Sequence, residues 1–141
     1  MAYKADRAVA LLPPTTIAAA VTAALSTAVT DVVGVNVLTC QATFLYGSGG
    51  TNVKAWVQTT FDQGVTWVDI MTFAFTTTAA QKISSVRSST VVTAAYVPTD
   101  ATLADDTLKD GLIGSQIRIK YTSTGIYAGA TSLAIHAVLH G

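Results

Sequence analysis

The sequence predicts an all-β protein: an antiparallel β-sandwich of the jelly-roll type, with about eight strands and an extended N-terminal arm. Apolar and polar residues alternate in several short segments, and turn residues separate these segments. Such alternation turns one face of a strand toward a core and the other toward solvent. All eight acidic residues are Asp and none is Glu. Asp favours turns and Glu favours helices, so this composition also indicates strands joined by turns.

Residues 1–14 are predicted to form the extended arm, and residues 15–141 a single β-sandwich domain. Pro13 and Pro14 end a short apolar run, and consecutive prolines favour extended backbone and oppose a helix. The arm is either a disordered tail or a segment that binds a partner. Its basic residues Lys4 and Arg7 are candidate partner contacts.

The segment 17–37 has two interpretations. Apolar residues recur there at every fourth position: Ile17, Val21, Leu25, Val29 and Val33. This spacing fits one face of a helix, and it fits one face of a strand equally well. Frequent threonine and the neighbouring strands favour two strands, at about 17–25 and 28–33, while a helix stays an open alternative.

The rest of the chain has a regular succession of strands and turns. We expect a strand at 38–46, a glycine-rich turn at 47–50, and a hairpin of strands 53–60 and 67–75 around the turn 62–64. A strand at about 82–97 and a long loop at 98–114 follow, and then two closing strands. In the first closing strand Ile117 and Ile119 are predicted to point inward, and Arg118 and Lys120 outward.

Residues 60–67, TFDQGVTW, have the form of an Asp-box, in which Ser/Thr-x-Asp-x-Gly-x-Thr-Trp closes a β-hairpin. The Asp carboxylate can accept backbone N–H groups across the turn, the Gly can adopt a positive φ, and the Trp can pack beside the turn. A single copy does not indicate glycosidase chemistry. We therefore predict a structural hairpin staple formed by Thr60, Asp62, Gly64, Thr66 and Trp67.

Two groups of residues are further candidate partner contacts. If the odd-numbered residues of strand 53–60 face the core, then Lys54, Trp56 and Gln58 share the outer face. An exposed Trp suits a protein interface or a sugar-binding platform, although a loop could also cover it. The second group lies in the acidic loop and consists of Asp105, Asp106 and Asp110.

No catalytic, cofactor-binding or metal-ligating set is predicted, and we do not expect an enzyme. The chain lacks a Cys–His pair, a serine elbow and a phosphate-binding glycine motif. Its single cysteine, Cys40, is predicted to lie in the core. His136 and His140 share one face of the last strand, about 13 Å apart along it, which is too far to hold one metal ion.

Charge and hydropathy limit the partners that we expect. Eight basic and eight acidic residues cancel, so there is no basic field for direct nucleic-acid binding. No run is long and apolar enough for a membrane-spanning helix. The N-terminus does not fit a secretory signal, so we expect synthesis in the cytoplasm. Charged residues make up only 11% of the chain, which suggests that a partner covers part of the surface.

Two segments resemble a known group of proteins. QATFLYGSGGTNVKAWVQTTFDQGVTWVDI (Gln41–Ile70) and GSQIRIKYTSTGIYAGATSLAI (Gly114–Ile135) are similar to the cementing, or decoration, proteins of tailed-bacteriophage capsids. The resemblance implies a non-enzymatic jelly-roll protein, homo-oligomeric and commonly dimeric, on the outer capsid surface of the virion. Its partner would be the major capsid protein, whose neighbouring subunits it would cement. Alternatives are a carbohydrate- or receptor-binding module of a virion, with Trp56 as the platform, and a head–tail or tail structural component.

Overall fold

Ten β-strands provide the regular structure of residues 6–141, which are the residues that this computed structural model describes. They are β1 (Arg7–Thr16), β2 (Val21–Leu25), β3 (Val37–Leu45), β4 (Ser48–Gly49), β5 (Asn52–Thr60), β6 (Val68–Phe75), β7 (Ala80–Arg87), β8 (Gln116–Thr124), β9 (Tyr127–Ala128) and β10 (Ser132–His140). No helix occurs within this part of the chain.

Eight of the strands form two four-stranded antiparallel sheets, which pack against each other. Sheet A has the order β1-β10-β3-β7, sheet B has the order β2-β8-β5-β6, and the short strands β4 and β9 pair separately. The prediction of an antiparallel β-sandwich is confirmed. The pairs β1–β10, β2–β8, β3–β7 and β5–β6 nest like those of one long hairpin that is folded over. This nesting is consistent with the predicted jelly roll.

The core lies between the sheets, where the alternating apolar residues meet. On β3 the even-numbered residues are fully buried while the odd-numbered ones are not, and β5 contributes Val53, Ala55 and Val57 from the other sheet. Phe44 of sheet A stacks on Phe75 of sheet B, with ring centroids 5.1 Å apart. Cys40 is buried here as predicted. Burial raises the pKa of its thiol to about 12, so it is unreactive at neutral pH.

The predicted arm is part of the sandwich wherever the structure describes it. Arg7–Thr16 is the edge strand β1 of sheet A, and its register with β10 shifts on either side of Leu12. Leu11 and Leu12 are buried in the core. The prolines are consistent with this position because an edge strand can lack N–H donors on its free side. The predicted boundary after residue 14 therefore falls inside a strand.

Two other predicted segments are wrong in extent. The strand at 28–33 does not form: Val29 makes a single bridge with Ile117, and only Val21–Leu25 is a strand in this region. The strand at 82–97 ends at Arg87, whose backbone N–H donates to the Asp110 carboxylate and whose carbonyl accepts from Gly111. A long loop follows from residue 88 to residue 115.

Candidate functional site

The predicted hairpin staple forms at the turn between β5 and β6. Thr60 Oγ1 donates to Asp62 Oδ1 (2.9 Å), and Asp62 Oδ1 also accepts the backbone N–H of Thr66 (2.8 Å). The Thr66 hydrogen bond is the main reason why the pKa of Asp62 lies below its ordinary value. Gly64 has a φ of 94°, and its carbonyl accepts from Trp67 Nε1 at 3.1 Å. These residues fix the turn, and the contacts among them are structural.

The outer face of sheet B is covered by residues 96–109, which we call the covering loop. The loop pairs with the free edge of β6: Asp69 N–H donates to Thr99 O, Thr72 N–H donates to Thr107 O, and Lys109 N–H donates to Ile70 O, each at 2.9 Å. An edge strand with free backbone groups is open to pairing with another chain. The covering loop therefore blocks the β6 edge as well as the face.

Asp69 fastens the covering loop to the sheet. Its carboxylate is fully buried and accepts five hydrogen bonds, at 2.8–3.1 Å. The donors are Gln58 Nε2, Thr99 Oγ1 and the backbone N–H groups of Ala101, Thr102 and Leu103. A buried carboxylate is tolerated when its oxygens are satisfied in this way. Sequence reasoning missed Asp69, because its only signal is a charged residue within an apolar strand.

The expectation that Trp56 and Gln58 face a partner is wrong. Trp56 does lie on the outer face of sheet B, but only 6% of it is exposed, and its Nε1 donates to Leu103 O at 3.2 Å. Gln58 is fully buried and contacts Asp69, Asp100 and Arg118. The alternative that a loop covers Trp56 is confirmed. Strand alternation specifies a face, and the loop determines whether that face meets solvent.

The candidate acidic contacts are engaged within the chain. Asp105 pairs with Lys54 (3.0 Å) and Asp106 pairs with Lys82 (2.8 Å), and both carboxylates are about half exposed. Asp110 accepts from Arg87 N–H (2.7 Å) and from Thr90 Oγ1. The backbone bond from Arg87 is the largest reason that the pKa of Asp110 is lowered. The carboxylates of the acidic loop therefore contact groups on the sheets of the same chain and do not form a free acidic surface.

Asp100 completes this network. It accepts from Gln58 Nε2 (2.7 Å) and pairs with Lys120 (2.9 Å). Burial by itself raises the pKa of Asp100. The hydrogen bonds from Gln58 and Lys120, and the positive charges of Lys120 and Arg118, outweigh burial, so the pKa lies below its ordinary value. Arg118 also lies 4.1 Å above the Trp67 ring, and burial lowers the pKa of its guanidinium.

The two basic candidates of the arm have different outcomes. Lys4 lies outside the described residues. Arg7 is half-buried at the start of β1, and its Nη2 donates to the carbonyl of Asp31 at 2.9 Å. It therefore ties the edge strand to the connection between β2 and β3.

One end of the sandwich carries a cluster of exposed apolar side chains, which we call the apolar end. Phe61 and Val65 project from the β5–β6 turn, and Val91 and Val97 lie in the loop beside it; all four are more than half exposed. A cavity of about 470 Å³ opens beside Phe61. It is lined by Phe61, Val68, Val92, Thr93, Ala94, Ala95, Tyr96, Pro98 and Leu112. Sequence reasoning missed this cluster, although apolar residues inside the Asp-box turn were a visible signal.

The outer face of sheet A is the second open surface, and we call it the bare face. No described segment lies across it. Its central positions are occupied by Ala10, His136, Gln41 and Ile83, one from each strand, and Ile83 is 68% exposed. A shallow groove of about 210 Å³ crosses it. His136 and His140 both lie on this face, as their spacing predicted.

Within residues 6–141, no group of three or more His, Cys, Asp or Glu side chains is placed to hold a metal ion. No helix in the same residues has the length and apolarity needed to cross a membrane. Comparisons with family models, curated proteins and solved structures find no match to this chain.

Proposed function

We propose that this protein is a cementing protein of a tailed-bacteriophage capsid, which binds the major capsid protein on the outer surface of the virion and joins neighbouring subunits. The resemblance of Gln41–Ile70 and Gly114–Ile135 to such proteins supports the proposal. The low charge and the two open surfaces also support it, because protein–protein contacts are the chemistry that such surfaces offer. The proposal includes no enzymatic role.

The apolar end is the observation that carries the proposal. Large apolar side chains that are scattered singly on a surface need no explanation, but a contiguous cluster marks a contact site. Burial of one Val or Phe side chain contributes about 1.5–3 kcal/mol. Four such exposed residues, of which Phe61 also lines the cavity, can therefore contribute several kcal/mol to binding. The staple adds to this because it holds Phe61 and Val65 on a fixed turn, which reduces the entropy lost on binding.

The structure changes the weight of the alternatives. The alternative of a carbohydrate- or receptor-binding module requires Trp56 as an exposed platform. Trp56 is instead buried beneath the covering loop. A head–tail or tail component uses the same kind of surface as a cement. Copy number separates the two, since a cementing protein occurs at every capsomer junction of one type and a connector occurs in a single ring.

The test is decoration of capsids that lack this protein, with purified protein added back. We expect wild-type protein to occupy the shell in many copies and to raise the temperature at which particles break. The double variant Phe61→Asp/Val65→Asp should lose most of its occupancy while its unfolding temperature stays close to that of the wild type, because both side chains are exposed.

The control is Ile126→Asp, an exposed apolar residue at the opposite end of β5. This variant should decorate normally. Equal occupancy by the double variant and the wild type would exclude the apolar end as the binding site. Wild-type protein that binds no shell and is found only in tails would contradict the cement proposal itself.

A further inference from the structure

The bare face has the properties of a surface that pairs with a copy of itself. Two rows of residues cross its centre, one residue from each strand in the order β1, β10, β3, β7. One row is Ala10, His136, Gln41 and Ile83, and the next is Ala8, Val138, Thr39 and Ser85. No Asp, Lys or Arg occurs in either row. This composition is unusual for an exposed sheet face, which ordinarily carries charged residues.

We propose that the bare face binds the bare face of a second copy of this chain, about a two-fold axis that runs along the strands between β10 and β3. This inference deepens the proposed function, on which it depends for the expectation of a homo-oligomer. It adds the surface, the symmetry axis and the residues that meet.

The symmetry determines which side chains face each other. A two-fold interface presents the same patch twice. The proposed axis is parallel to the strands and lies between β10 and β3. Rotation about it reverses the order of the residues in each row, so β7 of one copy lies over β1 of the other. Ile83 then meets Ala10, and His136 meets Gln41. The large exposed Ile83 side chain opposes the smallest residue of its row, and the imidazole and the amide can exchange a hydrogen bond.

The second row is also complementary to itself. Reversal places Ala8 opposite Ser85 and Val138 opposite Thr39, so small residues meet at the margin and medium-sized ones meet near the axis. An axis across the strands would instead place Ile83 close to β7 of the other copy and Ala10 close to its β1. If such an axis passes through the first row, Ile83 meets Ile83 and Ala10 meets Ala10, so two large residues are opposed at one side and a gap is left at the other, which costs packing contacts.

Charge does not oppose the pairing. Like charges brought together at an interface cost several kcal/mol, so a face that pairs with itself must keep charges away from the axis. The charged residues that continue the outward-facing alternation are Arg87 on β7 and Asp6 just before β1, and both lie toward one end of the sheet. Arg87 Nε donates to Thr90 Oγ1, and the Asp6 carboxylate accepts from the N–H of Gly141.

The area is of the order that a dimer needs. Four strands about 4.8 Å apart and about eight residues long, at about 3.3 Å per residue, give roughly 500 Å² of flat surface. Side-chain relief increases the accessible area toward the roughly 800 Å² per partner of a standard interface. Sheets that pack face to face lie about 10 Å apart with strands aligned within roughly 30°, so both rows can meet their counterparts.

Sedimentation of the purified protein is the first test. At about 100 µM, where a micromolar Kd leaves few free monomers, we expect the wild type to sediment as a dimer. Gln41→Lys places a charge opposite His136 of the other copy and should shift the protein to monomer. Thr77→Lys, which adds the same charge on an exposed turn, should leave the dimer intact. A monomeric wild type, or a Gln41→Lys variant that stays dimeric, would overturn the inference.

A mixed-disulfide experiment tests the axis. Ala10→Cys and Ile83→Cys are prepared separately, mixed and oxidised gently; the native Cys40 is buried and does not compete. The proposed axis predicts a disulfide between the two different variants and little from either variant alone. Cross-linking of Ile83→Cys to itself in preference to Ala10→Cys would exclude this axis. Both substitutions are conservative enough to keep the sheet folded.

The same variants separate this inference from the cement proposal. A monomeric Gln41→Lys protein that still binds capsids, even with reduced occupancy, supports the bare face as the dimer surface and leaves the cement proposal in place. A wild type that decorates capsids but sediments as a monomer overturns the inference alone. Dimers that pair by the bare face and bind no capsid would leave the inference standing and contradict the cement proposal.

Discussion

The outer faces of the two sheets have opposite properties. Sheet B carries Lys54, Arg118 and Lys120 on its outer face, and the covering loop supplies the carboxylates that neutralise Lys54 and Lys120. The central rows of sheet A carry no Asp, Lys or Arg, and nothing in the described chain covers them. A soluble sheet ordinarily exposes its charged face and buries the uncharged one. Here the charged face is covered, and the uncharged face stays open among the described residues.

Removal of Asp69 should have the largest effect, and it should act on the covered outer face of sheet B. Asp69→Ala leaves three backbone N–H groups, Gln58 and Thr99 without their acceptor beneath the covering loop. We expect the free energy of unfolding to fall by about 3–5 kcal/mol, measured by urea denaturation. Hydrogen exchange in residues 99–109 should accelerate.

The control is Asp105→Ala, which removes a half-exposed ion pair and should change the free energy of unfolding by less than about 1 kcal/mol. Equal effects of the two substitutions would show that Asp69 does not hold the loop.

A smaller loss is expected for Trp56→Phe. This change removes the hydrogen bond from the indole N–H to Leu103 O, but Thr72 Oγ1 still donates to that carbonyl. The expected loss is about 1–2 kcal/mol in the free energy of unfolding. Coverage can be measured directly in Trp67→Phe, where Trp56 is the only tryptophan. Its fluorescence should resist quenching by acrylamide, and strong quenching would mean that the covering loop does not protect the face.

Acid should weaken the fold gradually. The folded protein holds the pKa values of Asp62, Asp100 and Asp110 below their ordinary value. A lowered carboxyl pKa stabilises the fold above the unfolded value of about 4, and the stabilisation disappears as the pH falls through the folded value. The free energy of unfolding should therefore decline below about pH 5. Asp100→Asn should flatten that decline, and an unchanged slope would contradict this role of Asp100.

The smallest effect is expected on the bare face. Ile83→Ser, made in the monomeric Gln41→Lys background, should change the free energy of unfolding by less than about 0.5 kcal/mol, because Ile83 is largely exposed. Ile119→Ala in the core should cost about 2–5 kcal/mol. Comparable losses at the two positions would mean that Ile83 is packed within the monomer.

Local pattern was enough to predict much of the sandwich. The strand at 38–46, the hairpin at 53–75 and the two closing strands follow from period-two alternation between turn residues, and the Asp-box turn has the hydrogen bonds that its residue types predict. These features depend on neighbours in sequence. The predicted strand at 28–33 fails, and so does the part of the predicted strand at 82–97 that follows Arg87, because these residues find no continuous partner strand and pairing partners are distant in sequence.

The candidate contacts show the same division. Alternation places Lys54, Trp56 and Gln58 on the correct face of β5. The predicted exposure is wrong for Trp56 and Gln58, because it depends on residues more than forty positions away in the chain. Asp69 and the apolar end were missed, since neither has a local signature. Alternation predicts which residues of each strand point to the bare face. The rows that these residues form across the face depend on the register of four strands.

The sequence by itself therefore determined that this chain forms antiparallel strands with a single cysteine in the core and a stapled hairpin. It also determined that few charges are available for the surface. Only the tertiary structure decided that several of those charges meet between one loop and one sheet, and that the outer face of the other sheet is open among the described residues. Alternation and turn chemistry act between residues close in the chain, whereas coverage of a face depends on contacts between residues far apart.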